Sequence, residues 1–131
     1  MAEPILIVDS YRAVADSIAR ILRAAGFNNI VAYDQESALF RVMTDSISLI
    51  LAEAFDLAHF SFLRRLREKS PATPAILMAG REVGDFPRRA LQAGAADCLL
   101  KPFSKTELIA SVQAHLPARW LQPSWTGPLS R

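Results

Sequence analysis

At 131 residues, 51% of them hydrophobic, the chain has the length of one domain and enough apolar side chain for a complete core, which excludes intrinsic disorder. A net charge of +2 argues against a dedicated nucleic-acid binder, and a lone cysteine, Cys98, excludes an internal disulfide or a cysteine-based metal site. No basic segment precedes the first apolar run, and no apolar stretch approaches the ~18 residues of a membrane span, so a soluble cytoplasmic protein is expected.

Ile5 to Val8 is a continuous apolar run, as in a strand covered on both faces. Val14, Ile18, Ile21, Leu22 and Ala25 follow at helical spacing, with Gly26 as the stop. Ile30 to Tyr33 reads as a second strand, and Asp34 as the cap of a helix with Ala38, Leu39, Val42 and Met43 on one side. Ile47 to Ala52 is the third strand, followed by a helix with Leu63 and Leu66 inward and a break at Ser70-Pro71. Pro74 to Ala79 is the fourth strand. Pro87 suits the first turn of the next helix and Gly94 its end. Ala96 to Leu100 is the fifth strand, and Ser104 with Glu107 forms a capping-box pattern before Leu108, Ile109, Val112 and Leu116. Residues 1–116 therefore read as one domain, and 117–131 as a tail carrying three prolines and both tryptophans.

Five strand-then-helix units with buried-type strands predict an α/β fold, a parallel sheet between helices. The functional crevice of such a sheet lies at the carboxyl ends of its strands. Asp9, Ser10, Glu53, Ala79, Gly80 and Lys101 occupy those ends. Two carboxylates and a lysine could attract Mg²⁺ and steady a phosphoryl group, or could form an ion pair that merely fixes the loops. The residues alone leave both readings open.

The opening Ile5-Leu6-Ile7-Val8-Asp9, the run Ala93-Gly94-Ala95-Ala96-Asp97 and the triplet Lys101-Pro102-Phe103 resemble the response-regulator receiver family over roughly Pro4 to Leu116. The resemblance implies a flavodoxin-like (βα)5 sandwich with strand order 2-1-3-4-5 and a role in two-component signalling. It also implies a site from which this chain departs. Where receivers usually carry two adjacent acids, Asp9 is followed by Ser10. Glu53 takes the phosphoacceptor position, Ala79 the hydroxyl position and Cys98 the switching aromatic; Asp9, Lys101 and Pro102 keep their usual identities.

One carboxylate fewer should leave at most a weak Mg²⁺ site at Asp9 and Glu53, so no cofactor is expected. Phosphoryl transfer rests on positioning, which the longer glutamate disturbs. Nor does Glu53 make a full imitation of the phosphorylated state, because neither hydroxyl nor ring remains to respond. The expectation is a degenerate receiver that is no enzyme, fixed partly by a Glu53–Lys101 pair, acting as a protein-interaction module. Its partner would be a histidine kinase, a phosphotransfer protein or another regulator, and a homodimer is compatible. One alternative is a receiver still phosphorylated by a histidine kinase, through Glu53 or through Asp56, which otherwise reads as a helix N-cap. The other is a basic nucleic-acid module using the arginines of the third and fourth helices.

Cys98, between Asp97 and Leu99, reads as a small core residue. His59 and His115 show no metal-ligand pattern. Arg88, Arg89 and Gln92 are candidate partner contacts, with Ala90, Leu91 and Ala93 turned inward. Trp120 and Trp125 in the tail are further candidates, since tryptophan favours interfaces.

Overall fold

Strands apolar on both faces need helices on both faces, and the computed structural model, which describes residues 3–80 and 84–117, supplies them. In chain order the elements are β1 (Ile5–Val8), α1 (Arg12–Ala24), β2 (Asn29–Ala32), α2 (Gln35–Thr44), β3 (Leu49–Glu53), α3 (Ser61–Lys69), β4 (Ala75–Gly80), α4 (Phe86–Gln92), β5 (Asp97–Lys101) and α5 (Lys105–His115). All strand pairs are parallel and the order is β2-β1-β3-β4-β5. This is the flavodoxin-like arrangement expected from the sequence. None of the described helices is long and apolar enough to cross a membrane.

Alternation along each strand assigns the two cores. Leu6, Val8, Ile50, Ala52 and Leu77 pack with α2, α3 and α4 on one face. Ile5, Ile7, Leu49, Leu51, Ile76 and Met78 pack with α1 and α5 on the other. The helix ends follow their local chemistry. Asp34 accepts the Ser37 N–H at 2.7 Å, and Ser104 and Glu107 form a reciprocal capping box. Gly26 and Gly94 stand just past α1 and α4 with φ of +94° and +111°, a conformation that glycine adopts without the Cβ penalty.

Three inward assignments fail, one because the helix has already ended and two by one helical step. The buried stripe of α1 is Ala15, Ile18, Ala19 and Leu22, which leaves Ala25 exposed. On α2 the buried residues are Ala38, Leu39 and Val42; Met43 lies about 100° further round and is exposed together with Phe40. On α4, too short for more than two turns, Phe86 and Ala90 are buried and Leu91 faces solvent. Phe86 is fully buried and stacks on Phe60 with ring centroids 6.3 Å apart. Truncating it (Phe86→Ala) is expected to cost about 3–5 kcal/mol by removing a large ring from a packed site; urea unfolding measures the loss.

Candidate functional site

The sheet register sets the site. Val8 pairs with Ala52, so Asp9 and Glu53 follow as adjacent strand ends at the point where the strand order reverses. Ala79 and Gly80 close β4, and Gly80 pairs with Lys101 at the end of β5. Asp9, Ser10, Glu53, Ala79 and Lys101 thus gather at one end of the sheet. Pro102 follows through a cis Lys101–Pro102 peptide bond.

Within the cluster the charges are partnered differently from expectation. Asp9 is fully buried; its Oδ1 accepts the Tyr11 N–H at 2.9 Å and its Oδ2 accepts from Lys101 Nζ at 2.7 Å. Glu53 Oε1 accepts from both the N–H and the Oγ of Ser10, at 3.0 and 2.8 Å. The expected Glu53–Lys101 pair is not formed. A carboxylate with no exposure needs a counter-charge far more than one at the rim does. Lys101 therefore goes to Asp9, while Ser10, which stands where receivers usually carry a second acid, supplies two neutral donors to Glu53.

A cavity of about 230 Å³ opens beside this cluster, walled by Tyr11, Glu53, Phe55, Met78, Ala79 and Lys101. Its β4 wall carries no hydroxyl, because Ala79 ends in a methyl group. Asp56 does not line it. The Asp56 carboxylate instead accepts from the N–H groups of Ala58 and His59 at 3.1 Å each and from Ser61 Oγ at 2.8 Å. These bonds, the Ser61 hydroxyl first, hold its carboxyl below the usual aspartate range. Asp56 thus closes a turn before α3 rather than serving as its N-cap, which is Phe60. Among the described residues no group of three or more acidic, histidine or cysteine side chains is arranged to hold a metal ion.

The loop joining β3 to α3 is tied to α4, a feature the sequence did not reveal. Phe55 and Phe60 both have left-handed backbones, with φ of 62° and 52°, where glycine would be the ordinary signal. Their rings compensate: Phe55 packs edge-on against Phe62 at 5.1 Å, and Phe60 stacks on Phe86. Arg89 lies 5.4 Å over the Phe60 ring and donates to the Ala58 carbonyl at 3.1 Å. Of the three α4 candidates, Arg88 and Gln92 face solvent, whereas Arg89 is engaged within the fold. Arg88 also pairs with Asp85 at 2.9 Å. Trp120 and Trp125 lie outside the described residues.

Cys98 is half-buried against the α2–α4 core. Burial, with the Asp97 charge second, pushes its thiol above the usual cysteine value. Less thiolate means slower attack, so iodoacetamide at mildly alkaline pH is expected to label the folded chain several-fold more slowly than the urea-unfolded chain. Equal rates by intact mass would show an ordinary exposed thiol. His115 is also engaged, its Nε2 lying 3.1 Å from the Asp97 carboxylate that accepts from Ser111 Oγ at 2.9 Å.

The fold and the sequence both have counterparts among known proteins. The family model described as the response regulator receiver domain matches residues 5–113. The transcriptional regulatory protein CpxR of Escherichia coli (strain K12) is 36% identical over 114 residues, covering 86% of this chain and 48% of its own length. The transcriptional regulatory protein YvrH of Bacillus subtilis (strain 168) is 33% identical over 115 residues, with the same two coverages. The chain thus spans about half the length of the curated relatives it matches. A CheY-like response regulator receiver domain protein from Methanospirillum hungatei JF-1 shares the fold, with a TM-score of 0.78 at 23% identity over 87% of this chain and 93% of that one. Receiver domains are signalling modules, not enzymes, and they interact with histidine kinases or other signalling proteins. A match over residues 5–113, on a sheet of order 2-1-3-4-5, means that the chain belongs to the response regulator receiver domain family.

Proposed function

We propose that this chain is a receiver that takes no phosphoryl group and works by binding another signalling protein. The observation that carries this reading is the pairing at the strand ends. Lys101 Nζ sits 2.7 Å from Asp9 Oδ2, and Glu53 Oε1 is held by Ser10. A divalent ion would have to displace the lysine from Asp9, and then, among the described residues, find only Glu53 as a second carboxylate. Mg²⁺ demands near-ideal octahedral geometry and sheds its waters reluctantly, so the residues present fit it poorly. At most weak binding is expected.

The acceptor side fits no better. An incoming phosphoryl group needs a carboxylate oxygen aligned for attack and donors around its equatorial oxygens. Glu53 is engaged by Ser10, and the cavity wall at Ala79 offers a methyl group where a hydroxyl would help. Asp56, the other candidate, spends its oxygens on the turn before α3 and stays outside the cavity.

Acetyl phosphate with Mg²⁺ provides the direct test. The intact mass of the chain is expected to stay unchanged under conditions that phosphorylate an ordinary receiver, and Mg²⁺ titration followed by Tyr and Trp fluorescence should show no saturable site of receiver strength. Addition of a phosphoryl group that disappears in Glu53→Gln or Asp56→Asn would overturn the reading. The names of CpxR and YvrH describe transcriptional regulation by chains about twice as long, and that activity is not carried over to this one.

A further inference from the structure

β2 is the end strand of the sheet, so one of its edges has no neighbouring strand among the described residues. The N–H groups of Ile5 and Asp9 donate to the carbonyls of Asn28 and Ala32 at 2.9 and 3.2 Å, which turns the even-numbered residues of this strand toward β1. In a parallel ladder the alternate residues point the other way. The backbone N–H and C=O groups of Val31, and the N–H of Tyr33 just past the strand, therefore face outward, and none of the described residues bonds them. Exposed strand edges are templates for pairing with another chain, and proteins usually blunt them. This one lies in a groove of about 680 Å³, floored by Val31, Ala32 and Tyr33 and flanked by Arg12 of α1 and Phe40 of α2.

The walls carry a recognisable chemistry. Phe40, on the α2 wall, is 63% exposed and presents an apolar ring to solvent. The charged groups of the groove are mostly spent within the fold. Asp34 caps α2, Glu36 lies 3.1 Å from Arg65, and Arg41 lies 3.6 Å from Asp45. Arg12 differs: its guanidinium rests 4.1 Å over the Tyr33 ring and makes no salt bridge among the described residues. It is an exposed cation held on the ring of Tyr33, whose hydroxyl donates to Asp16 Oδ1 at 2.7 Å, and among the described residues no carboxylate lies within ion-pair distance of it.

We propose that the free edge of β2 docks an extended acidic segment of a partner protein, added as a sixth strand, with a carboxylate side chain toward Arg12 and an apolar side chain toward Phe40. Side chains of an added strand alternate between the α1 and α2 sides, so the acidic and apolar residues of the segment alternate in sequence. Main-chain hydrogen bonds to Val31 and Tyr33 supply affinity, and the two walls supply selection. Residues 118–131 of this chain contain no Asp or Glu and so offer no carboxylate side chain to Arg12. The site lies apart from the Glu53 cavity and does not depend on whether that cavity takes a phosphoryl group.

A displayed library of random linear peptides, selected on the full chain, tests this. Enriched peptides are expected to alternate acidic and apolar residues and, once bound, to slow hydrogen exchange at the Val31 and Tyr33 amides. Arg12→Glu should weaken them by about tenfold or more, the loss of one charge-assisted hydrogen bond. A peptide with lysine in place of the acid should regain affinity for that variant. Because an acid in the first turn of α1 favours the helix, the variant is expected to fold. Phe40→Ser should weaken binding as well. Peptides that protect amides elsewhere, or that bind Arg12→Glu as well as the original chain, would overturn the proposal. So would protection of these two amides by concentration-dependent dimerisation, which would make a second copy the occupant.

Discussion

A chain carrying Ser10→Asp, Glu53→Asp and Ala79→Thr together is expected to take up a phosphoryl group from acetyl phosphate and Mg²⁺, while the unaltered chain takes up none. Each change answers one deficit. Ser10 is exposed at the end of β1, so an aspartate there adds a hard oxygen ligand beside Asp9 without burying a new charge. It also removes the hydroxyl that holds Glu53 Oε1. Shortening Glu53 by one methylene draws the carboxylate back toward the strand end, leaving the cavity to the reacting group. A hydroxyl at position 79, on the cavity wall, adds a donor for a phosphoryl oxygen. With two acids beside the ion, Lys101 is released from Asp9 to face the new acceptor. Glu53→Asp alone should not suffice, because the Asp9–Lys101 pair still occupies the metal's place. Intact mass reads the outcome, and Asp56→Ala added to the triple variant should leave it unchanged. Failure of the triple variant to react while it still folds would mean that something other than these three residues closes the site.

The sheet was legible because its signals are redundant. Five apolar runs, the glycine stops at Gly26 and Gly94 and the capping box at Ser104 and Glu107 all point to one alternation, and a miss at Met43 or Leu91 alters no layer. The strand-end residues were legible for a related reason: a parallel sheet with crossovers must bring those ends together. What the sequence could not convey is which donor each carboxylate would take. Reading Ser10 as a lost acid overlooked that its hydroxyl and N–H reach the neighbouring strand end, and Glu53 went to them. The loop after β3 was opaque as well. Left-handed residues normally announce themselves as glycine or asparagine, yet here they are Phe55, held by the nearby Phe62 ring of α3, and Phe60, held by the Phe86 ring of α4 that lies distant in sequence. Arg89 looked like a solvent-facing partner contact until the fold placed Phe60 beneath it.

Removing the Lys101 ammonium (Lys101→Met) is expected to destabilise the fold by about 2–4 kcal/mol, somewhat less than the ~3–5 kcal/mol of a fully buried pair because the lysine side chain is 25% exposed. The loss comes less from the attraction itself than from what remains behind. Asp9 has no exposure, and without Lys101 its Oδ2 would keep a charge with no counter-charge in contact. The Asp9→Asn change tests the assignment from the other side. An asparagine can still accept the Tyr11 N–H through its carbonyl, and in the Lys101→Met background it removes the stranded charge. The double variant is therefore expected to be more stable than Lys101→Met alone, although it lacks both members of the pair. Urea midpoints of the four chains, read as a double-mutant cycle, measure the coupling. Additive losses would mean that the 2.7 Å contact holds nothing in place, and that the lysine is free to meet a phosphoryl group.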